Sequence, residues 1–474
     1  MTKLFGTNGI RGIVNQDMTS ELALNIGKAW GHYLRKKISR PSLAIGTDAR
    51  LSNDMLKSGV TAGLLSVGCD VIDIGLVPTP CLQYFVLKQS IDSGVMITAS
   101  HNPPEFNGIK GIDADGTEFS KETEEDIEEI YFSETAETVP WDQVGKYSKN
   151  TEAKDLYIKG LLSSVNAERI KKRSFHVVLD CGNGAGSVVT PQVLKMLGCH
   201  VTELYCIPDG RFPGHPSEPT PENLQMLMQT VHKEKPVCGV AQDGDADRAI
   251  FIDEQGNYVW GDQTLALFAQ YIIEKHPGGI VVTPVTTSTC LSDVVQYNKG
   301  SIVFTRVGSP VVARVMKEKK AVFGGEENGG LIFPEFQFCR DSAATIIKFL
   351  DMLAVKKKPF SQLLQSIPSY SLVKKKISCP HELKTGILQV LKKNHTDESS
   401  IDRIDETDGL KIYSSKGWVL IRPSGTEPII RVYAEAKTEK HAKDLASTYE
   451  QMVKDLIAKK LTKNKVLSTN RHKR

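Results

Sequence analysis

The feature that most constrains how this chain can fold is a rhythm repeated three times: a β-rich run, a loop bearing Gly or Ser, a stretch of helical period, a glycine, and a second β-rich run. It first passes from Ser42-Leu-Ala-Ile-Gly46 through Ala62-Gly-Leu-Leu65 to Gly68-Cys69-Asp70-Val71-Ile72. It returns from Phe175-His-Val-Val-Leu-Asp180, across a loop from Cys181 to Gly186, through Val193-Leu-Lys-Met-Leu197 to Gly198-Cys199-His200-Val201. The third copy joins Gly279-Ile-Val-Val-Thr283, a helix through Leu291 to Val295, and Gly300-Ser301-Ile302-Val303. Apolar β-branched runs read as buried parallel strands, and a glycine behind each helix suits a left-handed cap. Three such units predict an α/β architecture of three related domains, with mixed sheets between helices around a central cleft.

The last stretch reads differently. Leu410-Lys-Ile-Tyr413, a turn from Ser414 to Gly417, Trp418-Val-Leu-Ile421 and Ile429-Ile-Arg-Val-Tyr433 predict antiparallel strands on short loops. A helix follows, with Leu445, Tyr449, Met452, Val453 and Leu456 on one face. This is a C-terminal α+β domain. Polar linkers put the domain limits at 1–150, 151–255, 256–366 and 367–474, a division that suits a chain of 474 residues.

Composition narrows the function classes. A net charge of +3 from 59 basic and 56 acidic side chains is too even to imply a nucleic acid partner. The basic stretch from Lys459 to Arg474 lacks aromatic interleaving and reads as a solvated, frayed tail. Nine cysteines stand singly with no C-x-x-C pair, which predicts reduced, buried thiols in the cytoplasm and no zinc site. Nothing resembles a signal peptide or a membrane span, so no membrane partner is expected.

Four short segments carry chemistry. Thr98-Ala-Ser-His-Asn-Pro103 follows the apolar run Gly94-Val-Met-Ile97, and a serine beyond the carboxyl end of a strand is placed where α/β sheets collect ligands. Asp243-Gly-Asp-Ala-Asp-Arg248 lies between two apolar runs, so its three carboxylates are crowded. Like charges about 4 Å apart repel by about 4 kcal/mol at an effective dielectric near 20, which calls for a cation, and an all-oxygen donor set selects a hard ion such as Mg²⁺. Glu254 falls at the twelfth position of an EF-hand loop, but Arg248 occupies the place where that loop requires glycine. Arg422-Pro-Ser-Gly-Thr-Glu-Pro428, with Arg431 behind it, offers hydroxyls, a bare amide and two guanidinium groups to a phosphate. Gly324-Gly-Glu-Glu-Asn-Gly-Gly330 suits the hydroxyls of a sugar. Gly182-Asn-Gly-Ala-Gly186 has the wrong spacing for a dinucleotide fingerprint and reads as a tight βα turn.

Any one of these could be an ordinary turn. In this order, and with Phe5-Gly-Thr-Asn-Gly-Ile-Arg-Gly12, Asn107-Gly-Ile-Lys110 and Pro208-Asp-Gly-Arg-Phe-Pro213, the chain resembles the α-D-phosphohexomutase family over nearly its whole length. The resemblance implies that Ser100 is the phosphorylated nucleophile and that Asp243, Asp245 and Asp247, with the phosphoserine, hold one Mg²⁺ per chain. It places Arg11, Lys110, Arg248 and His101 around the transferring group, Lys110 and Arg11 for proton transfer or charge stabilisation. Glu326 and Asn328 match the sugar-binding loop, and Arg422, Ser424, Gly425, Thr426 and Arg431 the site for the distal phosphate.

The activity implied is interconversion of hexose 6-phosphate and hexose 1-phosphate, primed by a hexose 1,6-bisphosphate. Glucosamine 6-phosphate, on the way to UDP-N-acetylglucosamine, is the foremost expected substrate, with mannose and glucose phosphates as the alternative. The opening motif looks like that of phosphoglucosamine mutases, while Thr98-Ala-Ser-His-Asn-Pro-Pro104 is nearer the phosphomannomutase/phosphoglucomutase branch. The sugar loop departs from both: Gly330 stands where many members place a histidine, and Asn328 replaces a serine, as in archaeal-type enzymes. The expected partners are small sugar phosphates, with the chain a cytoplasmic monomer or homodimer. Rival classes are a Mg²⁺-dependent phosphatase or kinase and a silent sugar-phosphate-binding protein. The first has no use for a second phosphate site at Arg422 to Arg431, and the second would not need an intact serine and carboxylate triplet.

Overall fold

The computed structural model describes residues 4–6, 8–395, 401–424 and 427–471, with side chains described through residue 460. Four sheets follow one another along the chain. The strands of the first lie in the order Ile10–Ile13, Phe106–Asp113, Ser93–Ile97, Ser42–Thr47, Asp70–Leu76 and Tyr147–Lys149. In the second the order is Tyr258–Val259, Ala249–Ile252, Cys238–Gln242, His176–Asp180 and His200–Leu204. The third runs Ser301–Thr305, Ile280–Pro284, Phe323–Gly325 and Leu331–Ile332. Strand Tyr258–Val259 pairs with Ala249–Ile252, so the second sheet reaches past residue 255.

The three predicted units form as parallel pairs that place Leu43 beside Val71, Val177 beside Val201 and Val281 beside Ile302. Two of the three helices end in a left-handed glycine, Gly68 at φ +85° and Gly198 at φ +72°. The third departs from expectation: its helix stops at Tyr297, so the left-handed residue is Lys299 at φ +60°. Gly300 packs closely instead: a Cβ there would lie 2.7 Å from Ile273 Cδ1, which would have to move aside.

A second repeat emerges only in three dimensions. In every one of the three sheets a strand parallel to the first strand of the unit leads through a short connection into an antiparallel neighbour: Ser93–Ile97 into Phe106–Asp113, Cys238–Gln242 into Ala249–Ile252, Phe323–Gly325 into Leu331–Ile332. Those connections are the serine, carboxylate and Glu-Glu-Asn loops. Three of the four chemical segments therefore occupy the same place in three copies of one topology.

The fourth sheet is wholly antiparallel, in the order Ser371–Ser378, Ile429–Ala436, Gly417–Pro423, Leu410–Ser414 and Ile401–Asp405. Two of its strands and the helix His381–His395 were not legible in the sequence; Lys374, Lys375 and Lys376 mask the alternation of an edge strand, where lysines commonly stand. The closing helix runs Glu439–Arg471, so the basic stretch is helical through Arg471 rather than frayed. Tyr449 and Val453 are buried on its inner face, whereas Met452 turns out to be 38% exposed, just off that stripe.

One hydrophobic core crosses the first three domains. Tyr84 stacks on Phe336 with ring centroids 5.0 Å apart, and Tyr157 packs beside both. The fourth domain has its own core around Ile387, Ile421, Val432 and Val453, and meets the third through a small cluster of Val285, Trp418 and Leu420. All nine cysteines are free thiols, and all but Cys206 are buried. Among the described residues no helix is long and apolar enough to cross a membrane.

Candidate active site

Strand Ser93–Ile97 is buried along its whole length, and the chain leaves it by a sharp turn at Ser100, whose φ of +51° lies in the left-handed region. A non-glycine residue there is uncommon and is held by its surroundings. Arg50 does the holding. Its guanidinium donates to the carbonyls of Ser100 (2.9 Å), Asn102 (2.5 Å), Pro103 (2.6 Å) and Phe106 (2.7 Å), and pairs with Asp48 at 3.2 Å. Asp48 in turn accepts from the Thr98 hydroxyl, which receives the Ser100 amide at 2.8 Å.

Held this way, the buried Ser100 hydroxyl donates to Asp243 Oδ2 at 2.7 Å. The two loops approach so closely that a Cβ on Gly244 would sit 2.5 Å from the Ser100 carbonyl oxygen. Asp243, Asp245 and Asp247 are all buried and each places a carboxylate oxygen within 4.8 Å of the others. Their oxygens divide into two sets. Asp243 Oδ1 receives the amides of Asp247 and Arg248, Asp245 Oδ2 receives Thr79 (2.7 Å) and Lys110 (2.6 Å), and Asp247 Oδ2 receives Arg340. Asp245 Oδ1 and Asp247 Oδ1 are buried and accept no hydrogen bond. Buried acceptors of this kind are rarely left unmet, so the donor set fits one hard divalent cation. Electrostatics agrees: burial first, then the Asp247 and Asp245 charges, pushes the Asp243 carboxyl up to about 8. Burial acts likewise on Asp245, but the charge and hydrogen bond of Lys110 outweigh it and hold that carboxyl well below the usual range.

The cations named from sequence surround this cluster. Lys110 is fully buried and also lies 3.6 Å from Asp247. Arg11 donates to Asn102 Oδ1 at 3.0 Å, and Arg248 Nε stands 3.7 Å from Asp243 and 3.6 Å from Asp247 without a hydrogen bond. The charge of Arg248, then burial, then Arg11 drive the His101 imidazole down to about 2, so it is a neutral ring with a buried, unpartnered Nδ1.

In the third loop, Glu326 is buried, accepts the Gly308 amide at 3.2 Å and pairs with Arg340 at 2.8 Å. Asn328 spends its side-chain oxygen on the Gly330 amide within the same loop. Segment 306–309 joins three domains: Ser309 donates to Glu118, which also receives Asn8; Gly308 meets Glu326; and the Val307 amide donates to Asp408 at 3.0 Å. Asp408 also holds Arg422 at 2.6 Å, and Arg422 and Arg431 are cross-strand neighbours. Arg431 pairs with Glu427, the Ser424 hydroxyl caps the Glu427 amide, and Lys384 donates to the carbonyls of Ser424 and Glu427. Gly425 and Thr426 lie outside the described residues.

Sequence reasoning missed Asp48, Arg50, Thr79, Glu118, Arg340, Asp408 and Lys384. Asp48, Arg50 and Thr79 had a usable signal, since they follow the carboxyl ends of the parallel strands Ser42–Thr47 and Asp70–Leu76. Arg340 had only the weak one of a lone arginine in an aromatic stretch.

A serine hydroxyl on a buried carboxylate triplet ringed by cations, where the first three domains meet, suits phosphoryl transfer. Family profiles described as phosphoglucomutase/phosphomannomutase alpha/beta/alpha domains I, II and III match residues 2–138, 155–256 and 260–370, and the C-terminal domain profile matches 377–451. The chain is 44% identical to a phosphoglucomutase/phosphomannomutase of Thermococcus kodakarensis over 445 residues, covering 94% of this chain and 97% of that one. It is 41% identical to a probable phosphoglucosamine mutase of Methanopyrus kandleri, covering 96% and 99%. A crystal structure of a phosphoglucomutase/phosphomannomutase family protein from Burkholderia thailandensis superposes with a TM-score of 0.85 at 26% identity, covering 96% and 97%. The chain belongs to the phosphoglucomutase/phosphomannomutase family, the α-D-phosphohexomutases, and is an intramolecular phosphotransferase.

Proposed function

We propose that the chain converts glucosamine 6-phosphate to glucosamine 1-phosphate through a phosphoserine at Ser100. The observation that carries the reading is the 2.7 Å hydrogen bond from the Ser100 hydroxyl into a buried carboxylate cluster with two unmet oxygens. Asp243, Asp245 and Asp247 hold one Mg²⁺, which when bound neutralises charge on the transferring phosphoryl group. Phosphoserine 100 gives its phosphoryl group to the C1 hydroxyl of hexose 6-phosphate, leaving free serine and a hexose 1,6-bisphosphate. After the sugar turns over in the cleft, the phosphoryl group at C6 returns to Ser100 and hexose 1-phosphate departs. A hexose 1,6-bisphosphate primes chains whose serine is bare.

Lys110, Arg11 and Arg248 stabilise the equatorial oxygens of the transferring group, a task for fixed cations in a dry site. Held on Asp245, Lys110 suits charge stabilisation better than proton transfer. His101, kept neutral, hydrogen-bonds without adding charge. Glu326 and Asn328 engage sugar hydroxyls, and Arg422, Ser424, Gly425, Thr426 and Arg431 hold the phosphate that is not reacting. Small sugar phosphates are the partners, and the enzyme acts in the cytoplasm as a monomer or homodimer.

The name of the Methanopyrus relative supports glucosamine phosphate; the name of the Thermococcus relative supports glucose and mannose phosphates as the second reading. Measuring kcat/KM on the three hexose phosphates with Mg²⁺ and a priming bisphosphate decides between them. The highest value is expected for glucosamine. Higher values for mannose or glucose would install the second reading, and release of inorganic phosphate without isomer would overturn both.

A further inference from the structure

Arg340 is absent from every segment that the sequence marked as chemical, yet it lies between two of them. One arm of its guanidinium donates to Asp247 Oδ2 at 2.5 Å and the other to Glu326 Oε2 at 2.8 Å. All three side chains are at most 5% exposed. Its backbone is fixed on both sides: Arg340 bridges to Ile332 at the edge of the third sheet, and Asp341 caps the helix Ser342–Lys356 while accepting from Tyr157. The side chain reaches its two carboxylates by running across Gly330, where an added Cβ would fall 2.2 Å from Arg340 Cδ. The Glu-Glu-Asn loop therefore ends in glycine to let the arginine through.

We infer that Arg340 is a positioning residue that sets the metal loop and the sugar loop together. By occupying Asp247 Oδ2 it leaves Oδ1 as the oxygen offered to the cation. By holding Glu326 Oε2, with the Gly308 amide on Oε1, it keeps that carboxylate aimed as the sugar meets it. A planar guanidinium presents separate arms to both carboxylates in one fixed geometry, which a single ammonium nitrogen does not reproduce. Lys110 and Arg248 reach the carboxylate triplet, but neither pairs with Glu326. The inference rests on the mutase reading of these loops.

Calorimetric titration of Mg²⁺ and of glucosamine 6-phosphate into four full-length chains tests it: wild type, Arg340→Lys, Gly330→Ala and the double variant. Outer-shell changes of this kind weaken a metal site by about ten- to a hundredfold. Arg340→Lys is expected to weaken both ligands by about that factor, and Gly330→Ala, which displaces the arginine without removing it, to do the same. In the double variant the two losses should not multiply, because both changes break one interaction. Loss of one ligand alone in Arg340→Lys, or multiplying losses in the double variant, would overturn the role. A fall in melting temperature with both affinities intact would make Arg340 merely structural and overturn it equally. Failure of the mutase reading shows separately, as a wild type that binds both ligands and forms no isomer.

Discussion

Ser100 shows how much of this site is built by residues that do no chemistry. Its left-handed backbone and its aim at Asp243 depend on Arg50, which satisfies four carbonyls of the serine loop. Removing that guanidinium also strands Asp48, a buried carboxylate that burial already pushes upward. Arg50→Ala should therefore cost about 3–5 kcal/mol, the usual penalty for orphaning one member of a buried pair. Urea unfolding measures it, and a loss below about 1 kcal/mol, as for a surface pair, would mean the loop holds itself. The sequence located Ser100 beyond the carboxyl end of a strand but not how deeply its hydroxyl lies. In the structure it is buried and hydrogen-bonded, because the carboxylate loop of the second domain closes over it.

At the scale of elements, what the sequence revealed was periodicity and local composition. The three βαβ units were legible because buried parallel strands are continuous apolar runs, as in Val177-Val-Leu179. The shared position of the serine, carboxylate and sugar loops was not, since it depends on pairing between strands as short as Leu331–Ile332. Arg340 was hidden for the same reason: its meaning lies in two carboxylates 14 and 93 residues away. In the fourth sheet, the hairpin from Gly417–Pro423 to Ile429–Ala436 places Arg422 opposite Arg431, and Asp408 steadies Arg422. If this hairpin serves only the distal phosphate, Arg422→Ala should raise KM for hexose phosphate by about ten- to a hundredfold, the worth of one or two charge-assisted hydrogen bonds. Mg²⁺ affinity, read by titration, should stay unchanged. Equal loss of both would show that the hairpin is not a separate site.

Over the whole molecule, one core crosses domains I to III, while domain IV has a core of its own and meets the third domain at a joint around Val285, Trp418 and Leu420. On the proposed mechanism the sugar turns over in the cleft, and that division would give it a fixed frame for phosphoryl transfer beside a module that moves separately. Within the joint Lys411 donates to the Val285 carbonyl, and its ammonium sits 3.7 Å from the Trp418 ring centroid, while Glu435 links Trp418 to Thr289. Burial lowers the Lys411 value to about 8 from 10.5, with Glu435 opposing. Between those pH values the folded chain has released a proton that the unfolded chain keeps, so this group's contribution to stability rises with pH. Lys411→Met should remove that rise. Calorimetric melting of both chains from pH 7 to 10 should show the wild type gaining on the variant, and a constant difference would mean that Lys411 keeps its proton throughout.

The claim on which the rest stands is that Ser100 carries the phosphoryl group in transit. Intact-mass and peptide mapping after incubation with Mg²⁺ and glucose 1,6-bisphosphate tests it directly. One phosphoryl group should appear on Ser100, vanish when excess hexose 6-phosphate is added, and never form in Ser100→Ala. Phosphate found on another residue, or isomerisation that persists in Ser100→Ala, would contradict the account.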